Sequence, residues 1–112
     1  MPKYVSFFTL KGESVKGMIE RPSDREAVLS NMLAGVGGTL EAYYWMFGHY
    51  DGLAISDVPD SMSAAAVSLA ISSTGAFGHL ETHELLTQDQ LGQMLSHARD
   101  AAQAYQAPGQ QG

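Results

Sequence analysis

The feature that most constrains this chain is the stretch Tyr43-Tyr44-Trp45-Met46-Phe47-Gly48-His49-Tyr50-Asp51-Gly52. An aromatic, β-prone run, Thr39 to Phe47, enters it, and a second run, Leu53 to Val58, leaves it. Two such runs around a glycine-bounded tight turn predict an antiparallel hairpin. The turn also sets an imidazole, a phenol and a carboxylate side by side, more polar chemistry than chain reversal requires. Gly48 and Gly52 are expected at positive φ, with Asp51 bonding neighbouring amides and Tyr50 closing one end of the fold.

The rest of the chain supplies partners for this hairpin. Tyr4 to Leu10 reads as a first strand that stops at Lys11-Gly12, and a polar connector runs on to Pro22. Ser23-Asp24-Arg25-Glu26 has the form of a capping box. Behind it Ala27, Val28, Met32, Leu33 and Val36 recur at helical spacing, and Gly35, Gly37 and Gly38 provide the stop. Pro59-Asp60-Ser61 opens an alanine-rich helix from Met62 to Ile71, with Ser61 as its expected N-cap. Phe77 to Leu86 is the fourth strand. Thr87-Gln88-Asp89-Gln90 is another capping box, starting a helix through Leu91, Met94, Leu95, Ala98 and Ala102.

This order predicts an α+β fold of the ferredoxin-like βαββαβ type with an extra C-terminal helix. Residues 1–106 form the one domain, and 107–112 a flexible tail. The helices would cover one face of a four-stranded antiparallel sheet and leave the other bare. A second copy of the same sheet is the expected cover, giving a dimeric α+β barrel. Self-association also suits a chain of 112 residues, since a domain this small hides only ~60–70% of its unfolded surface.

Several residues along this frame form a collinear set: Thr9 with Lys11-Gly12, Gly38, Tyr43-Tyr44-Trp45, Gly48-x-Tyr50-Asp51, Pro59-Asp60, Ser68-Leu69-Ala70 and Gly75. In this set the chain resembles the GYD domain proteins over nearly its whole length. The resemblance implies the ferredoxin-like fold and the dimeric α+β barrel group, and it implies no particular activity. The chain departs from the family pattern in the last strand, where His79 and Glu81 stand in place of threonines. Chemistry built on those two would belong to this protein or to a subgroup.

Composition narrows the partners. Six basic against twelve acidic side chains leave a net charge of −6, which argues against nucleic acid or an anionic membrane as a partner. The absence of cysteine removes disulfides, thiol nucleophiles and thiolate-bound zinc. No signal-peptide pattern opens the sequence and no apolar run approaches the ~20 residues of a membrane span. The expected setting is the cytoplasm, and the expected partner is another copy of the chain.

The candidate chemistry lies on two strands. Alternation puts His79, Glu81, His83 and Leu85 on the open face, with Leu80, Thr82, Glu84 and Leu86 toward the helices. The same parity groups Glu41, Tyr43, Trp45 and Phe47 on one side of the second strand. The plain use of such a polar strand face is a solvated or dimer-interface surface. A second use is ligand binding in a barrel cavity, with Lys11, Glu41, Tyr43, Trp45 and His49 around a small aromatic or carbonyl-containing molecule. His79, Tyr50 and Asp51 would then supply cofactor-free acid/base or oxygen chemistry. A third use is a divalent metal on His79, Glu81 and His83, or a haem on one of the histidines. No complete catalytic signature is present, no cofactor is assigned, and a purely structural or regulatory oligomer is the competing class.

Overall fold

In the computed structural model, which describes residues 1–109, the strands are β1 (Lys3–Leu10), β2 (Thr39–Trp45), β3 (Gly52–Asp57) and β4 (Phe77–Leu85). They form one antiparallel sheet in the order β2-β3-β1-β4, with β1 paired to β3 on one side and β4 on the other. The helices are α1 (Gly12–Glu20), α2 (Arg25–Ala34), α3 (Ser61–Ser72) and α4 (Gln88–Ala104). The ferredoxin-like fold with its extra C-terminal helix is thus as expected, apart from one added element. The last three residues of the expected tail 107–112 lie outside the described residues.

The added element is α1, where a connector was expected. Gly12 and Gly17 weaken helix propensity at both ends of this nine-residue segment. It is anchored by tertiary bonds instead: the Lys11 amide donates to the Ala76 carbonyl at 3.1 Å, and Ser14 Oγ to the same carbonyl at 2.7 Å. Its legible signal was Val15, Met18 and Ile19 at helical spacing. Two helix starts also move by one residue. Asp24, not Ser23, accepts from the Ala27 amide, and Asp60, not Ser61, from the Ser63 amide. An aspartate at the N-cap supplies a charged acceptor to the same orphan donors. The Thr87–Gln90 capping box forms in both directions.

The hairpin is looser than a tight turn, because six residues, 46–51, separate β2 from β3. The Met46 amide closes the loop onto the Asp51 carbonyl at 2.8 Å. Gly48 takes φ +120° as expected, whereas Gly52 does not lie at positive φ. Gly52 is needed for space, since a Cβ there would overlap the tip of the Phe8 ring.

One face of the sheet packs against α2 and α3. Tyr4, Leu33, Val58 and Ala64 are buried there, with Leu29, Val36, Leu40 and Val67 around them. No helix of the chain lies over the opposite face among the described residues. All of α4 is exposed, including Leu91, Met94 and Leu95. The projecting α4 helps stretch the molecule to 64 × 32 × 23 Å, and its radius of gyration of 18.5 Å exceeds the about 13 Å of a compact chain this long. Among the described residues no helix is long and apolar enough to cross a membrane.

Candidate functional site

β4 presents its side chains as strand alternation dictates. His79, Glu81 and His83 stand on the open face, beside Thr9, Phe7 and Val5 of β1, their direct cross-strand partners. Glu81 is the hub. Its Oε1 accepts from His79 Nε2 at 3.0 Å and from the Tyr50 hydroxyl at 2.6 Å, while Oε2 accepts from His83 Nε2 at 2.6 Å. Phe7 forms the floor, its ring centroid 5.1 Å from Tyr50 and 6.3 Å from His83. His49 packs edge-on to Tyr50 at 4.7 Å.

The three donors, the Tyr50 hydroxyl foremost, hold the Glu81 carboxyl down at about 2. The same bond pushes the Tyr50 phenol up, so tyrosine stays the donor. With both Nε2 atoms donating, a neutral imidazole keeps Nδ1 as its acceptor. The arrangement is chemically able to orient an imidazole as a base. The three side chains are spent on one another, and among the described residues no group of three His, Cys, Asp or Glu side chains is arranged to hold a metal ion.

The depressed carboxyl has a consequence for stability. Its folded value lies below the ordinary 4.5, so its contribution is complete above that value and lost as pH falls toward about 2. Glu81→Gln is therefore expected to flatten the loss of stability over that acidic window. Urea midpoints measured at a series of pH values check this, and parallel curves for the two proteins would refute it.

The second strand breaks the expected parity. A β-bulge between Leu40 and Ala42 inserts Glu41 as an extra residue, which turns every later side chain over. Glu41 remains on the open face, bonded to Lys3, which also bonds Asp57 at 3.0 Å. Tyr43 and Trp45 instead point to the helix face, where both pack against Phe8 with ring centroids 5.9 and 5.6 Å away. The expected grouping of Glu41 with Tyr43 and Trp45 is therefore wrong, and Tyr43 does not join the histidines. Asp51 also turns away from them. Its Oδ2 accepts from the Leu10 amide at 2.6 Å, and its own amide donates to the Phe8 carbonyl at 2.8 Å, so it ties the hairpin loop to the end of β1. Lys11 is exposed at the start of α1.

The helix face holds what sequence reasoning missed. A partly open cavity of about 500 Å³ lies between the sheet and α1, α2 and α3. Phe8, Tyr43, Trp45 and Leu80 line it from the sheet, Met18 from α1, Met32 from α2, and Val67 and Ile71 from α3. A short hydroxyl chain runs along it, Ser6 to Thr82 at 2.9 Å and Thr82 to Ser68 at 3.1 Å. Such a space depends on how far the helices stand from the sheet, which no local pattern encodes.

The sequence model of the GYD domain matches residues 4–95. No curated protein matches the chain in sequence. Solved structures are similar in fold at low identity. The crystal structure of FFRP-DM1 is 11% identical with a TM-score of 0.52, covering 77% of this chain and 100% of that one. TTHA0845 from Thermus thermophilus is 18% identical with a TM-score of 0.51, covering 78% and 95% respectively. At3g17210 from Arabidopsis thaliana is 13% identical with a TM-score of 0.51, covering 79% and 96%. These likenesses establish the fold.

Proposed function

This chain belongs to the GYD domain family, and from that premise we propose that it is a small homo-oligomeric protein that binds a mainly apolar, aromatic or carbonyl-containing small molecule. The observation that carries the reading is the cavity of about 500 Å³ between sheet and helices. Its size falls within the range of small-molecule sites, and its walls combine apolar and aromatic side chains with a few hydroxyls, as such sites do. The ligand site therefore belongs on the helix side of one sheet, rather than in a barrel interior between two open faces.

The oligomer reading has separate support. The open face carries half-buried Val5, Phe7, Leu53 and Ile55, and α4 projects with an exposed stripe of Leu91, Met94 and Leu95. Apolar surface of that extent on a small chain favours cover by a second copy. The Glu81 cluster would then sit at the joint between copies with its polar atoms already paired.

Trp45 is the single tryptophan and lines the cavity, so its emission reports occupancy. The neutral probe N-phenyl-1-naphthylamine is expected to bind saturably and to quench it. Val67→Phe, which fills the cavity from α3, is expected to weaken that binding by about tenfold or more while the protein remains folded. No saturable binding by the wild type would refute the ligand reading. A monomer in sedimentation velocity would refute the oligomer.

A further inference from the structure

Two arginines, Arg21 and Arg25, are among the residues that line the otherwise mainly apolar cavity. Arg21 follows α1 and is exposed, and Arg25 begins α2 and is half-buried. A second recess of about 280 Å³ adjoins the cavity and shares Arg25, Tyr43 and Trp45. Among the described residues neither arginine has an ion-pair partner. The chain has only six basic side chains against twelve acidic ones, so two cations without ion-pair partners lining one cavity run against its overall charge.

Asp24 and Glu26 line the second recess together with Arg25, but neither forms an ion pair with an arginine among the described residues. Asp24 is committed to the α2 N-terminus through the Ala27 amide at 3.0 Å. Glu26 is exposed on the first turn of α2. Burial is the main cause of the upward shift of the Tyr43 phenol, which Arg25 opposes and Glu26 reinforces. The Tyr43 hydroxyl consequently keeps its proton and has no hydrogen-bond partner of its own among the described residues.

Resting on the cavity reading above, we propose that the ligand is an amphipathic carboxylic acid. Its apolar body lies along Phe8, Met18 and Trp45, and its carboxylate meets Arg21, Arg25 and the Tyr43 hydroxyl. Guanidinium forks match a carboxylate in plane and charge, and the hydroxyl supplies a further donor to the same head group. A neutral ligand of the same length would leave those donors to water.

The test compares decanoate with decanol, both followed through Trp45 emission. Decanoate is expected to bind the wild type about tenfold or more tightly than decanol, since charge-assisted hydrogen bonds outweigh neutral ones. Replacing Arg21→Gln together with Arg25→Gln should erase that difference, the loss falling on decanoate far more than on decanol. Arg21→Lys with Arg25→Lys should retain part of it, which separates lost charge from lost structure. Equal binding of both compounds by the wild type overturns the head-group assignment and leaves the cavity reading intact. Binding of neither overturns the cavity reading itself. A decanoate preference that survives the double glutamine change also overturns the assignment, since the carboxylate would then be held elsewhere.

Discussion

Leu33→Ala is expected to lower the unfolding free energy by about 2–5 kcal/mol, the range for deleting a buried leucine side chain. Leu33 is 3% exposed and sits among Tyr4, Val58 and Ala64, with Leu29 and Val67 at the edge. Both the α2 packing and the chain reversal after it depend on this position, because the Leu33 carbonyl also accepts from the Gly38 amide at 2.8 Å. The neighbouring cavity bears on the size of the effect. Side chains around position 33 already border empty space, so they gain little by collapsing into a new void, and the lost contacts are not recovered. Against a total stability of about 5–15 kcal/mol, this one change removes a large share. Denaturant unfolding of the two proteins at equal concentration decides it, and a shift under about 1 kcal/mol would show that Leu33 is not a keystone of the core.

Gly52→Ala is the second large effect, expected at about 1–3 kcal/mol from overpacking. A Cβ at this position would sit 2.9 Å from the Tyr44 carbonyl oxygen and would overlap the tip of the Phe8 ring. Phe8 is 4% exposed and boxed by Tyr43, Trp45 and Phe77, with ring centroids 5.5 to 5.9 Å away. Combining Gly52→Ala with Phe8→Leu, whose shorter side chain withdraws from the clash, should cost less than the two single changes added together. A double-mutant cycle measures that coupling. Strict additivity would mean that the strain falls on the Tyr44 backbone and not on the ring.

The same two positions illustrate what could be read from the chain beforehand. Leu33 lies in a run whose helical spacing was visible, with its N-cap placed one residue early, and helices of that kind are written locally. Gly52 was visible as a turn glycine, but its reason was not, because the Phe8 ring comes from a strand more than forty residues away and only pairing of β1 with β3 brings it close. The site divides similarly. His79, Glu81 and His83 share a face because β4 keeps a simple alternation there, so that grouping was legible. Tyr50 joins them from a loop, and its direction depends on a loop conformation that alternation does not govern. Tyr43 and Trp45 were put on the wrong side because a bulge is a backbone event settled by pairing with β3. Arg21, Arg25 and Met18 were not recognised as cavity residues, since α1 lacked strong terminal signals and its place over the sheet is set by the Ala76 carbonyl.

The bulge at Glu41 also fixes what changes of length β2 can accept. With one residue more or one fewer between Leu40 and Trp45, the aromatic wall of the cavity and the salt-bridged rim of the open face would trade places. Trp45 would be set on the sheet's bare side, while Tyr44 was pressed toward the helices. A change of two residues would restore every side chain to its own side, at the expense of sliding the strand along its neighbour. Insertions and deletions in this segment are therefore graded by oddness rather than by size, and a single codon separates two chemically different surfaces built from the same residues.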